Sequence, residues 1–77
     1  MQYCAIIFVV DVDTGQTFSL SREVDTVDRQ EIYDLLKDEA HATDDNIDTI
    51  LVLANAYEGA PDVIRHWTAL NGDFEGL

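Results

Sequence analysis

The residues with chemical potential in this chain are carboxylates. Asp11 and Asp13 follow an apolar run, and Asp13 opens an Asp-Thr-Gly triplet. A carboxylate so placed can activate water, but that chemistry takes two such aspartates sharing one proton. The chain has one triplet, followed by Gln16-Thr17 and not by small residues. The Asp11-x-Asp13 spacing also opens a calcium loop. Gly15, however, stands one place early for that loop, and its twelfth position is Arg22 where a glutamate is needed. A magnesium-dependent phosphatase site would need a larger parallel sheet than 77 residues hold. We read Asp11 and Asp13 as solvated strand-end carboxylates and Asp13 to Gly15 as a turn between two strands, with Gly15 free to take positive φ.

Other candidates are weaker. Asp44, Asp45, Asn46 and Asp48 could hold a divalent cation, but capping of the next element is the simpler use of such side chains. His41 and His66 stand in no ligand spacing with each other or with a cysteine. Cys4 is the only cysteine and lies in an apolar run, so it reads as a small hydrophobe. No serine sits in a nucleophile elbow, and no glycine-rich loop could cradle phosphates. The expectation is a protein with no catalytic residues, no cofactor and no metal.

Elements that would position these side chains follow from pattern. Tyr3 to Val12 is rich in β-branched and aromatic residues and reads as a strand, apolar on both alternating sets. Gln16 to Ser21 alternates Phe18 and Leu20 with Thr17, Ser19 and Ser21, as a half-exposed strand does. A helix is expected from a cap at Asp25 or Thr26 through Ala42, with Ile32, Tyr33, Leu35, Leu36 and Ala40 inward. Ile47 to Ala54 fits a strand or a helix continuing to Gly59, and its Thr49, Ile50 and Val52 favour the strand. Glu58 to Pro61 reads as a turn, with Pro61 opening a helix from Asp62 to Leu70. That helix would bury Val63, Ile64, Trp67 and Leu70, end at Asn71-Gly72, and leave a short tail from Asp73. The expected architecture is a single small α+β domain of order ββαβα. Two short helices cover one face of a small sheet, so a strand apolar on both sides needs further cover. A homodimer through the second face is one way to supply it.

Charge then narrows function. Sixteen acidic residues face four basic ones, for a formal charge of −12. Such charge repels itself in a compact state and steers a protein toward positive surfaces. It argues against direct binding to nucleic acid or to anionic membranes, which need lysine and arginine. No apolar run approaches the about 20 residues of a membrane span, and no signal-peptide pattern is present. We expect a protein of the cytoplasm, the host's if it is phage-encoded. An apolar content of 47% excludes a disordered acidic tail.

On the first helix the charge acquires geometry. At about 100° per residue, Glu31, Asp34 and Asp38 form one stripe, flanked by Asp28 and Glu39. Neighbours in that stripe stand roughly 5–6 Å apart, a spacing similar to that of successive phosphates. Asp44, Asp45 and Asp48 extend the negative surface beyond the helix. The expected function is therefore a nucleic-acid mimic, which binds the basic groove of a nucleic-acid-binding protein and blocks it by occupancy. Phage-encoded inhibitors of host nucleases and of CRISPR effectors act in this way as a class, and the analogy is one of charge and size. The alternative is a small structural domain adapted to molar salt, where screening acts over about 3 Å and acidic surface reports only the solvent.

Overall fold

The computed structural model describes residues 2–54, 62–70 and 73–76. Six elements follow in order: β1 (Tyr3–Val10), β2 (Thr17–Val24), α1 (Arg29–Glu39), β3 (Ile47–Ala54), β4 (Asp62–Leu70) and β5 (Asp73–Gly76). The strands form one sheet of order β2-β1-β3-β4-β5. Every neighbouring pair is antiparallel. The α+β class is as expected, and the helix count is not.

β1 and β2 make the expected hairpin, with Tyr3 opposite Val24 and Val10 opposite Thr17. The turn is held by Asp11. Its carboxylate accepts the amides of Asp13 (2.9 Å) and Thr14 (3.3 Å), and its carbonyl accepts the Gly15 amide at 2.7 Å. Gly15 takes φ +75°, the left-handed region where a side chain is strained. The chain then crosses over β1 through α1 and returns as β3 on the other side of β1. β2 and β3 therefore run parallel to each other with β1 between them, and only a crossover of helix length can make that link.

α1 packs over β1 and β2. Ala5, Ile7 and Val9 point toward it, with Val24, Ile47, Ile50, Val52 and Trp67 on the same side of the sheet. Ile32 and Leu36 come down from the helix, and these ten residues are the buried core.

Four expectations are corrected. The segment Asp62–Leu70 is a strand and not a helix. It pairs with β3, placing Trp67 opposite Ile50. The misleading pattern has a local cause. A register shift near Val52 and Leu53 leaves Ile64 as an extra residue on β4. Ile64 and Trp67 then both pack on the core three residues apart, a spacing that a helix would also give. As a helix this segment would also leave the outer edge of β3 unpaired. The tail is likewise ordered in part, since Asp73–Gly76 forms β5 against β4. The order is thus ββαβββ and not ββαβα. The helix begins at Arg29, capped by Asp28 and not by Asp25 or Thr26. Leu35, expected inward, is 41% exposed. The expected turn at Glu58 to Pro61 and the expected helix end at Asn71-Gly72 lie outside the described residues.

Ile47 to Ala54 is the strand that its β-branched residues favoured. It too carries a register shift, between Phe8 and Val9 of its partner β1. That irregularity lets Ile47 and Ile50 both face the core, a spacing that also fits a helix.

Candidate functional site

α1 is set at both ends by its own side chains and backbone. At the N-terminus the Asp28 carboxylate accepts the Gln30 amide at 2.9 Å, satisfying one of the free N–H groups of the first turn. Thr26 in turn accepts the Asp28 amide at 3.1 Å. At the C-terminus the Ala42 amide reaches the Lys37 carbonyl (3.0 Å) and the His41 amide the Asp38 carbonyl (3.2 Å). This is the paired closing pattern that normally places glycine in the left-handed position. Here His41 occupies it, at φ +52°.

The core side of α1 is Ile32 and Leu36. The opposite side presents Glu31, Asp34 and Asp38, all exposed. The expected stripe is therefore formed, along one face of a helix of eleven residues. Gln30 donates to the Asp34 carboxylate at 3.0 Å. No hydrogen bond or ion pair joins the Glu31 or Asp38 carboxylate to another described side chain.

The flanking acids are used differently. Asp28 is the cap. Glu39 pairs with Arg22 of β2 at 3.2 Å. Asp44 receives Lys37 at 2.9 Å and the Tyr33 hydroxyl. Lys37 also lies 5.5 Å from the Tyr33 ring centre. Exposed pairs of this kind contribute about 0.2–1 kcal/mol, yet they draw Arg22 and Lys37 away from the stripe. Asp45 is exposed in the same loop as Asp44. Asp48 is not on the helix: it is an exposed residue of β3, left unpaired at the register shift, and accepts the Thr49 hydroxyl at 2.9 Å. Of the eight acids expected to act together, Asp28, Glu31, Asp34, Asp38 and Glu39 share α1, Asp44 is tied to it, and Asp45 follows in sequence.

Two hollows flank the stripe. One, of about 440 Å³, is lined by Glu23, Asp25 and Glu31 over Val24, Ile32 and Leu35, among others. The other, of about 410 Å³, is formed by Asp34, Lys37, Asp38, His41 and Ala42. Sequence reading missed Glu23, Asp25 and Leu35 as parts of this surface. Glu23 and Asp25 flank Val24 at the end of β2, and only the crossover brings that end beside α1. For Leu35 the signal was present: it lies about 100° from Leu36, at the margin of the inward arc and next to Glu31 and Asp38.

Away from α1, Asp13 is exposed in the hairpin turn and no second such aspartate faces it among the described residues. Groups of three or more residues able to hold a metal ion are absent among the described residues. His41 and His66 are exposed, and Cys4 is half-buried. Among the described residues no helix is long and apolar enough to cross a membrane.

No family model, curated protein or solved structure matches this chain.

Proposed function

We propose that this chain is a stoichiometric, non-catalytic inhibitor that presents α1 to the basic groove of a nucleic-acid-binding protein. The carrying observation is the Glu31–Asp34–Asp38 stripe, exposed along a capped helix with Lys37 and Arg22 paired elsewhere. Carboxylates held at that spacing offer a partner's lysines and arginines what a phosphate run offers. The larger of the two hollows beside it has the acidic walls of Glu23, Asp25 and Glu31 and the apolar floor of Val24, Ile32 and Leu35, while Lys37 and His41 share the other with Asp34 and Asp38. Such a floor suits the aliphatic stem of an arginine or lysine whose charged head meets Glu23, Asp25 and Glu31. Binding by this face is fast, steered by opposite fields, and weakens as salt rises. Phage-encoded antagonists of nucleases, glycosylases and CRISPR effectors are the functional class this reading places it in, acting in the host cytoplasm.

The test is competition. The protein is titrated into a nuclease, a DNA glycosylase and an RNA-guided effector, each with its DNA substrate, at low and at high salt. Inhibition of one of them at low salt, relieved by excess DNA, is expected. The variant Glu31→Lys, Asp34→Lys, Asp38→Lys should lose at least about 100-fold in potency, or about 2.7 kcal/mol, with an unchanged circular dichroism spectrum. Unchanged potency of that variant would remove the proposed face. Charge that reports only a salt-rich solvent predicts instead a chain that folds near molar salt and unfolds at low salt.

A further inference from the structure

The sheet has a second face. At alternate positions of β1 it carries Ile6, Phe8 and Val10, beside Leu51 and Leu53 on β3 and Val63 on β4. No described element packs on it. Phe8 is 37% exposed and Val63 52%. Around Phe8 the neighbours are small: Ser19 opposite it on β2 and Thr49 opposite it on β3. The ring therefore stands above its surroundings, with a low row of Ser19 and Ser21 alongside.

We propose that this face is the interface of a homodimer, formed by two copies packing sheet to sheet about a two-fold axis. Three properties select a second copy over other occupants. The first is charge. In a chain of −12, the open-face register positions of β1, β3 and β4 hold no acid, lysine or arginine. The described acids stand at the margins: Glu23 opposite Cys4 on β2, and Glu75 and Asp73 opposite Thr68 and Leu70 on β5, so the centre of the face is uncharged but for His66 opposite Leu51. It offers nothing to a charged partner, and its apolar character matches itself. The second is distance. Facing sheets pack about 10 Å apart, and each α1 lies roughly another 10 Å beyond its own sheet. The two acidic stripes then stand at least about 30 Å apart, nearly four Debye lengths at physiological salt. Their mutual repulsion is largely screened. The third is area. Strands about 4.8 Å apart and eight residues long give β2, β1, β3 and β4 a face of about 500 Å². Two such faces bury about 1,000 Å², the lower limit for a specific interface. In a two-fold arrangement the protruding Phe8 of each copy can settle over the serine row of the other. The dimer would carry two inhibitory helices on opposite outer surfaces.

The experiment is sedimentation velocity on the full chain over a hundredfold concentration range, at low and high salt. The expected species is twice the 8.6 kDa monomer mass. It should strengthen as salt rises, the opposite of binding through α1. Phe8→Glu should shift the population to monomer. Ser19→Arg, an exposed position outside the core, should do the same if Phe8→Glu fails to fold. The Glu31, Asp34, Asp38 triple variant should dimerise normally, so failure of the inhibitor reading and failure of the dimer are separate results. A chain monomeric at every concentration overturns the proposal. So does a dimer that survives both face variants, which would mean pairing through the β2 or β5 edge.

Discussion

The two faces of β1 differ less in composition than in what meets them. Ala5, Ile7 and Val9 are covered by α1 and are buried completely or nearly so. Ile6, Phe8 and Val10 are as apolar, yet no described element of their own chain lies over them. The charge is distributed the other way. α1 and the loop after it hold Asp28, Glu31, Asp34, Asp38, Glu39, Asp44 and Asp45, while the acids at register positions of the open face are at its margins, on β2 and β5. Carboxylates on the outer side of a helix keep full hydration and still leave the inner side free to pack. A carboxylate in the middle of the open face would lose its water whenever that face is covered. The separation allows one small chain to be strongly acidic and still have an apolar surface to offer.

The largest effect that would sharpen the contrast is in the core. Trp67→Ala should cost about 3–5 kcal/mol by urea unfolding, because Trp67 is 5% exposed and fills the β4 side of the buried cluster. Phe8→Ala should cost less, about 1–2 kcal/mol, under conditions where the chain is monomeric, since its ring is already partly in water. Equal costs would mean that both faces are covered alike. At intermediate size, Asp28→Ala removes a helix cap and should lose about 1 kcal/mol. Glu31→Gln relieves like-charge crowding and should be neutral or slightly stabilising, by a few tenths of a kcal/mol. That difference separates acids that build the helix from acids that decorate it. One modest effect is a clear gain. His41→Gly should stabilise the chain by about 0.5–1 kcal/mol, because φ +52° strains any residue with a Cβ. A thermal melt that falls instead would show that the imidazole contributes contacts outweighing the strain.

Legibility followed the range of the interactions. The hairpin could be read because Asp11 and Gly15 form their turn within five residues. The acidic stripe could be read because Glu31, Asp34 and Asp38 depend only on helical geometry. β4 could not. Its register shift spaces Ile64 and Trp67 as a helix would, and the extended form is favoured by pairing with β3. Asn71-Gly72 offered a hairpin signal, being a pair typical of two-residue turns, and strands end and begin on either side of it. Read after an assumed helix, it passed as a helix stop.

By itself, then, the sequence determined the net charge, the apolar strand with two faces, the turn at Asp13 to Gly15, and the side of the helix on which the acids stand. These depend on composition or on residues a few positions apart. Tertiary structure decided the rest: that Asp62–Leu70 is a strand, that Arg22 meets Glu39 across 17 positions, that the end of β2 borders the acidic stripe, and that no described element covers one sheet face. Each depends on groups distant in the chain. Backbone N–H and C=O groups at a sheet edge, like apolar surface beside it, are satisfied by whatever segment the fold brings there, and local pattern does not name that segment.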